Sequence, residues 1–194
     1  MSATSQATQI DPVVQKLITA EEQRQLSKIG LIPSENHISP AVSAVLSSCL
    51  SSKYAEGYPH RRYYEGNQNI DQLEVLAQDR VKELFNKGPA AESGSDRGEV
   101  AHVNVQPYSG SPANSAVQFA LLEPGDTVMG LALASGGHLT HGHPKVTFSG
   151  KYFRSVGYGL GSDARIDFEA LRAQVRQERP KLLIAGTTAY PFIL

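Results

Sequence analysis

The sequence is poor in cysteine, in long apolar runs and in charge of one sign, and each shortage excludes a class of protein. One cysteine, Cys49, rules out an intramolecular disulfide framework and a cysteine zinc cluster, and it fits a reducing compartment. No apolar run approaches a membrane span or a signal-peptide core. The net charge of −1, with both signs interspersed, gives no electrostatic footprint of a nucleic-acid or membrane partner.

Two catalytic motifs are also missing. The sequence has no Walker-type glycine loop with its lysine and no serine-elbow pattern, so nucleotide hydrolysis and acyl transfer lack their parts. Met1 to Gln9 is polar and has no arginine, which argues against a mitochondrial presequence. We therefore expect a cytoplasmic protein with a frayed start.

Helical and strand patterns alternate along the chain and predict an α/β fold with a parallel sheet. At 194 residues with 40% hydrophobic content, the chain is long enough for one domain or a large piece of one. The predicted helices are Pro12 to Ile29, a second from Pro40 with Cys49 on its apolar face, a third over residues 70–87, and Phe168 to Arg176 after an Asp167 cap. The predicted strands are Val103 to Val105, Thr127 to Leu131, Tyr152 to Tyr158 and Leu182 to Ala185.

The segment from Val103 to Asn114 is predicted to hold an anion. Gly110 permits a sharp turn, and Ser111 before Pro112 is typical of an N-cap followed by the first helical position. Free amides at a helix start, together with the hydroxyls of Ser109 and Ser111, suit a phosphate dianion. The same string also fits an ordinary serine-capped helix, because serine, glycine and proline are common turn residues.

The stretch from Lys53 to Gly66 has no helical or strand period and carries four of the eight tyrosines, which favours a functional loop. Glu56 is a candidate proton-transfer group, since a carboxyl partly withdrawn from water by aromatic neighbours can donate as well as accept a proton. A solvated loop glutamate is the alternative. Arg61 and Arg62 are predicted to form a solvated face.

His138 and His141 lie three apart in a glycine-flanked segment. As a pair they could be read as metal ligands, but no third ligand is evident nearby, so no metal is expected. An imidazole among glycines is instead well placed to stack on a planar heteroaromatic ring. A hydrogen-bonded structural role is the alternative, and it suits His141 better than His138.

Taken together, these strings closely resemble serine hydroxymethyltransferase, in order and at the expected spacing over roughly residues 12–191. The segments that carry the resemblance are Leu31 to Asn36, Lys53 to Pro59, Arg62 to Tyr64, Asn104 to Asn114, Gly136 to Gly142 and Phe148 to Lys151. The resemblance implies a pyridoxal-5'-phosphate enzyme of fold type I, the aspartate-aminotransferase fold, which interconverts serine and glycine with tetrahydrofolate as one-carbon acceptor. Another pyridoxal-phosphate lyase of this fold is less favoured, because the tyrosine-rich and glycine-histidine strings are specific.

The resemblance also implies roles for individual residues. Ser109, Gly110 and Ser111 would hold the cofactor phosphate, His138 would stack on the pyridine ring, and Thr188 would take the place of a serine that bonds its phenolic oxygen. Glu56 matches the proton-transfer glutamate, Tyr64 a tyrosine near the substrate, and Ser34 a contact of the substrate carboxylate. Tyr54 would reach the phosphate of a neighbouring subunit. The pterin would be bound around Leu133, Gly137 and Leu139.

The implied organisation is a disordered N-terminus over residues 1–11, a helical arm over residues 12–52 and a partial cofactor-binding large domain over residues 53–194. Departures from the family are Pro33 in place of alanine, Glu65 in place of a glycine, a longer loop from Pro89 to Glu99, and Phe192 to Leu194 in place of a polar continuation.

No position in these 194 residues matches the family's cofactor-linked lysine, its aspartate at the ring nitrogen or its substrate-binding arginine. We therefore expect this chain to be inactive alone, because the lysine and aspartate sustain the electron sink of the cofactor. A sheet with missing strands should also leave apolar surface near Leu182 to Ile184 exposed. The expected assembly is a homodimer or homotetramer; the alternative is a non-catalytic truncated paralogue that pairs with a full-length subunit.

Overall fold

A computed structural model of the chain describes residues 10–32, 34–87 and 99–192. The expectations for the first nine residues, Pro33, most of the loop from Pro89, Ile193 and Leu194 lie outside the described residues. The chain forms two compact units, Met1–Ser51 and Ser52–Leu194. Within the described ranges, no helix has both the length and the apolar character needed to cross a membrane.

The N-terminal unit contains helices α1 (Pro12–Ser27) and α2 (Pro40–Leu46). The Asp11 carboxylate accepts the N–H groups of Val13 and Val14 at 2.8 and 3.2 Å, which satisfies two of the free amides at the start of α1. The predicted end at Ile29 is wrong, because Lys28 already has an extended backbone at φ −126° and ψ 149°.

Cys49 was predicted on the apolar face of α2, and the structure corrects this. α2 ends at Leu46, and Cys49 begins a separate 3-10 turn, Cys49–Ser52, in which its side chain is exposed. The Ser47 and Ser48 hydroxyls donate to carbonyls of the last helical turn, at 3.0 Å to Ser43 and 2.7 Å to Val45. Serine hydroxyls that bond the backbone in this way compete with continuation of the helix.

The second unit is built around a parallel three-stranded sheet. Its strands are β3 (Thr127–Leu131), β4 (Arg154–Tyr158) and β5 (Leu182–Ile184), in the order β4-β3-β5. In the register, Met129 pairs with Val156 on one side and with Leu183 on the other. Parallel strands joined through helices confirm the α/β class.

The central strand β3 separates two apolar clusters, because side chains alternate between the faces of a strand. Met129 and Leu131 pack with Tyr158 and Ile166 on one face. Val128 packs on the other face, with Leu122 and Phe153. β5 is an edge strand in which Leu183 is 43% exposed, so the expected exposure of apolar surface there is confirmed.

The remaining elements lie around this sheet. A short hairpin pairs β1 (Gly57–Tyr58) with β2 (Arg61–Arg62). The helices are α3 (Gln68–Lys87), α4 (Gly110–Leu121), α5 (Phe148–Tyr152) and α6 (Phe168–Glu178), the last capped by Asp167 as predicted. The fourth strand begins at Arg154 rather than Tyr152, because Tyr152 closes α5.

Two predictions before α4 are wrong. Val103 to Val105 forms no strand: the two valines are half-buried and Asn104 is exposed, as in an extended chain, but no other described strand pairs with them. Ser111 is not the N-cap either, because the helix begins at Gly110 and Ser109 holds the cap position. Pro112 then falls at the third helical position, where a missing N–H still costs no helical hydrogen bond.

Candidate active site

The start of α4 presents unsatisfied donors. Ser109 is extended at φ −160° and ψ 170°, and its carbonyl accepts the Ala113 N–H at 3.2 Å. Its hydroxyl does not cap the helix, and the first turn contains no acidic residue. Among the described residues, nothing accepts from the amides of Gly110 and Ser111. Two exposed serines and two free amides at a positive helix end can therefore receive an anion.

His138 is tied to α4 through one threonine. Asn114, one turn into the helix, donates from Nδ2 to the Thr140 hydroxyl at 2.8 Å, and that hydroxyl lies 2.7 Å from His138 Nδ1. The Gln118 side chain donates to the Thr140 carbonyl at 2.8 Å. The helix start and the predicted stacking imidazole are thus parts of one hydrogen-bonded structure.

Close backbone packing fixes the segment that carries His138. A Cβ on Gly137 would overlap the carbonyl oxygen of Leu131, so only glycine allows the chain to pass so near the end of β3. Gly136 has φ +95°, in the left-handed region. The two short 3-10 turns beside these glycines, Leu133–Ser135 and Leu139–His141, leave Leu133 47% and Leu139 40% exposed. The three predicted pterin residues therefore lie in one short segment, residues 133–141, made of these two turns and the glycines between them.

His141 has a structural environment. Its Nδ1 accepts the backbone N–H of His138 at 3.3 Å, and its backbone lies against Gly130 of β3. Burial, and secondarily the neighbouring His138, lower the pKa of His141. Across the described ranges, no group of three or more His, Cys, Asp or Glu side chains converges as metal ligands.

Thr188 follows β5 and docks on the same glycine turn. Its hydroxyl donates to the carbonyls of Gly136 and Gly137 at 3.2 and 3.0 Å, and its N–H donates to Gly136 at 2.8 Å. The hydroxyl proton is therefore directed at the backbone, which leaves the oxygen lone pairs as acceptors. Thr188 and His138 flank the same pair of glycines.

The tyrosine-rich loop presents Glu56 to solvent. The rings of Tyr54 and Tyr64 meet edge to face, with centroids 5.8 Å apart, and they are 67% and 53% exposed. Glu56 is exposed as well, so the expectation that aromatic neighbours withdraw its carboxyl from water is wrong for this chain. Ser34 belongs to the N-terminal unit and is exposed there. The structure thus places Tyr54, Glu56 and Tyr64 together in one loop.

Arg62 contradicts the prediction of a solvated face. Its side chain is only 4% exposed, and it forms ion pairs with Asp71 and Glu74 of α3 at 2.8 and 2.6 Å. The Arg61 side of the hairpin is exposed, because adjacent residues of a strand point to opposite faces. The His60 N–H and then the Arg62 guanidinium lower the pKa of Asp71, while Glu74 raises the pKa of Arg62.

Gln106 links this loop to the segment that leads into α4. Its Nε2 donates to the Gly57 carbonyl at 2.8 Å and to Glu74 Oε1 at 2.9 Å. Gln106 stands three residues before Ser109. The loop that carries Glu56 is therefore hydrogen-bonded to the segment that precedes the start of α4.

Four of the residues that organise this site were not predicted as functional: Arg62, Gln106, Asn114 and Thr140. One sequence signal was present for Arg62. Asp71 and Glu74 lie three apart on one face of a predicted helix, next to the apolar residues Ile70 and Leu73. Acids beside an apolar face are partly buried, and a buried carboxylate needs a cation as its partner. The other three stand inside strings already singled out, but nothing local shows which partner each side chain reaches.

Comparison with known proteins gives a consistent set of relatives. The profile of the family described as "Serine hydroxymethyltransferase" matches residues 7–194. The chain is 55% identical over 188 residues to a serine hydroxymethyltransferase from Acidothermus cellulolyticus, covering 96% of this chain and 41% of the relative. It is 52% identical over 186 residues to the protein of that name from Desulfotalea psychrophila, covering 96% and 40%, and 50% identical over 198 residues to the one from Sorangium cellulosum, covering 98% and 44%.

Proposed function

Since the chain belongs to the serine hydroxymethyltransferase family, we propose that it forms the N-terminal part of a pyridoxal-phosphate-dependent transferase of fold type I. The proposed reaction interconverts serine and glycine, with tetrahydrofolate as the one-carbon carrier. The chain spans about two fifths of the length of the relatives it matches, at 41% and 40% for the first two. The observation that carries the proposal is the hydrogen-bonded link from α4 through Thr140 to His138.

The residues at the start of α4 fit a phosphate ester. The open amides of Gly110 and Ser111 and the uncommitted Ser109 hydroxyl supply donors, and the first turn has no carboxylate to repel the anion. A Cβ built on Gly110 meets nothing within 4 Å, so the approach to these donors is open. We assign Ser109, Gly110 and Ser111 to the cofactor phosphate.

His138 and Thr188 are assigned to the cofactor ring. Since Nδ1 of His138 accepts the Thr140 N–H at 3.2 Å, the neutral imidazole carries its proton on Nε2. A neutral ring stacks on a pyridine without adding charge, and Thr188 offers its oxygen beside the same turn. When bound, pyridoxal phosphate supplies an electron sink for bonds at the substrate α-carbon.

Substrate and carrier contacts are proposed for the remaining residues. Glu56 moves a proton at the substrate hydroxyl, Tyr64 lies near the substrate, and Ser34 contacts its carboxylate. Tyr54 reaches the phosphate of a neighbouring subunit. The turn with Leu133, Gly137 and Leu139 binds the pterin, for which its partly exposed leucines provide apolar contact.

We propose that the protein is a cytoplasmic homo-oligomer. We also propose that these 194 residues by themselves are inactive. Tyr108, beside Ser109, is 90% exposed and Phe119 of α4 is 81% exposed, and apolar surface of this kind favours burial against further protein, which a second subunit would supply. The same exposure favours the second candidate, a non-catalytic paralogue that pairs with a full-length subunit. Co-purification of the tagged chain with a full-length homologue supports pairing, and a lone monomer in solution speaks against both assemblies.

Cofactor recognition is tested by calorimetric titration with pyridoxine 5'-phosphate, which lacks the aldehyde that reacts with surface lysines. Pyridoxine, without the phosphate, is the matched ligand. We expect the phosphate ester to bind more tightly than pyridoxine, and we expect S111A and H138A each to weaken it. Equal binding of the two ligands, or unchanged binding in both variants, would contradict the assignment.

A further inference from the structure

We propose that Arg62 is a positioning residue for Glu56, which it holds through the two peptide carbonyls on either side of that residue. The inference rests on the proposed function only in taking Glu56 as the proton-transfer group. The contacts themselves belong to the described hairpin and to α3.

Both protons of one guanidinium nitrogen are engaged by the backbone carbonyls of the residues before and after Glu56. Nη1 donates to the carbonyls of Ala55 and Gly57 at 2.7 and 2.9 Å. Nε donates to Asp71 at 2.8 Å and Nη2 to Glu74 at 2.6 Å. Four of the five N–H donors are thus used, and two carboxylates hold the planar group in its orientation.

The backbone of Glu56 is held from three sides. Besides the two flanking carbonyls, its own carbonyl accepts the Tyr63 N–H at 3.1 Å across the hairpin. Gly57 has φ +96°, and a Cβ there would lie 2.5 Å from the Arg61 carbonyl, so the chain passes this point only as glycine. These contacts fix the direction in which the Glu56 side chain leaves the chain.

The carboxyl of Glu56 takes no part in this network. It is exposed, whereas Asp71 and Glu74 have side chains only 11% and 10% exposed. Buried Arg62 thus donates to two carboxylates and two loop carbonyls. It holds the loop backbone and leaves the Glu56 carboxyl without a bond to the guanidinium. Glu56 therefore differs from Asp71 and Glu74, which are buried and pair with Arg62.

Gln106 adds a third donor to the same loop. Its Nε2 shares the Gly57 carbonyl with Arg62 and also donates to Glu74, at 2.8 and 2.9 Å. The hairpin and the segment before Ser109 therefore meet at the Gly57 carbonyl, and Glu74 of α3 accepts from both side chains that donate to it. A shift of this segment would be transmitted to the backbone beside Glu56.

Two adjacent arginines provide a matched test by NMR on the full 194-residue chain. R62K keeps the charge but loses the planar fork, while R61K makes the same change on the exposed side of the hairpin. We expect R62K to lower the exchange protection of the Tyr63 amide about tenfold, to reduce the order parameter of the Glu56 amide, and to change the chemical shift of the Glu56 carboxyl carbon at constant pH. R61K should change none of these.

A third variant separates geometry from charge. E74Q removes a charge and keeps an oxygen acceptor for Nη2 but loses the acceptor for Gln106, so Glu56 should loosen less than in R62K. A role limited to anchoring α3 would leave the Glu56 amide order parameter and carboxyl-carbon chemical shift unchanged in R62K, and that result overturns the proposal. Amides of Val128 and Met129 in β3 report whether the fold is retained.

If R62K unfolds the chain, Q106M serves in its place, because Gln106 is exposed and its loss removes one donor from Gly57. A smaller loosening of Glu56 and Tyr63 is then expected, and unchanged Glu56 dynamics would contradict the proposal. Binding of pyridoxine 5'-phosphate, followed at the Ser111 amide on the same samples, tests the cofactor assignment independently. If the wild type does not bind pyridoxine 5'-phosphate but R62K still loosens the backbone at Glu56, the proposed function is refuted and the role of Arg62 is not.

Discussion

Thr140 and His138 are joined twice: the Thr140 hydroxyl lies 2.7 Å from His138 Nδ1, and the Thr140 N–H donates to the same nitrogen at 3.2 Å. An N–H group can only donate, so Nδ1 is an acceptor and the hydroxyl donates to it as well. The hydroxyl oxygen is then free to accept from Asn114. One threonine therefore sets both the tautomer and the orientation of His138.

Thr140→Val removes this hydroxyl at nearly constant volume, with Thr140→Ser as the control that retains it. The valine variant loses the hydroxyl contacts to His138 and Asn114, and we expect it to bind pyridoxine 5'-phosphate about three- to tenfold more weakly. The nitrogen-15 shift of His138 Nδ1 should also change, because that nitrogen then keeps only the backbone N–H of residue 140 as a donor. Unchanged shifts and affinity in the valine variant would mean that the hydroxyl does not orient the ring.

Gly137→Ala places a methyl group against the backbone carbonyl of Leu131, and the overlap can be relieved only by moving the backbone. We expect a lower free energy of unfolding and weaker binding of the phosphate ester. Gly159→Ala is the matched control, because its Cβ would lie 3.8 Å from the Ser135 hydroxyl, an ordinary contact. Equal urea midpoints for the two variants would contradict the close approach.

The core of the sheet depends on β3. Met129 is fully buried at 0% exposure, so Met129→Ala should reduce the free energy of unfolding by about 2–5 kcal/mol. Leu84 of α3 is 65% exposed, and Leu84→Ala should change it by less than about 0.5 kcal/mol. Urea unfolding followed by circular dichroism measures both, and similar losses would argue against β3 as the centre of the core.

The hairpin should loosen in acid. The pKa of Asp71 is lowered below its ordinary 3.8, so its stabilising contribution is complete above that pH and is lost as the pH falls through the lower folded value. The groups that face it are His60 and Arg62, and Glu74 shares the same arginine. Protection of the Tyr63 amide should therefore fall below pH 3.8 in the wild type.

Asp71→Asn removes the titrating group and should abolish this pH step. Asp126→Asn is the comparison, because the pKa of Asp126 is also lowered, mainly by Lys181, but this ion pair lies beside β3 and β5. The Asp126 variant should retain the step at the hairpin. A wild-type hairpin whose protection does not change with pH would contradict the role of Asp71.

Elements governed by local signals were predicted well from the sequence. The Asp167 cap, α3 and the central strand β3 depend on neighbouring residues or on a long apolar pattern, and all are confirmed. Val103 to Val105 has the alternation of a strand, but a strand also needs a partner strand, and the local sequence does not show whether one is available.

The site was harder to predict because its contacts join distant parts of the chain. Arg61 and Arg62 look equivalent in sequence, and only the alternation of the hairpin decides which one faces the acids of α3. Ser109 and Ser111 are both plausible caps, and the choice depends on whether Gly110 is already helical. Gln106 reaches Gly57 across 49 positions, a contact that no local pattern indicates.

The most direct test of the account is an NMR titration of the isotope-labelled chain with pyridoxine 5'-phosphate. We predict that the amides of Gly110 and Ser111 and the ring of His138 shift together, with one dissociation constant. Shifts confined to the helix start with no response at His138, or two different dissociation constants for the two groups, would contradict a single cofactor site built from α4 and the glycine-histidine turn.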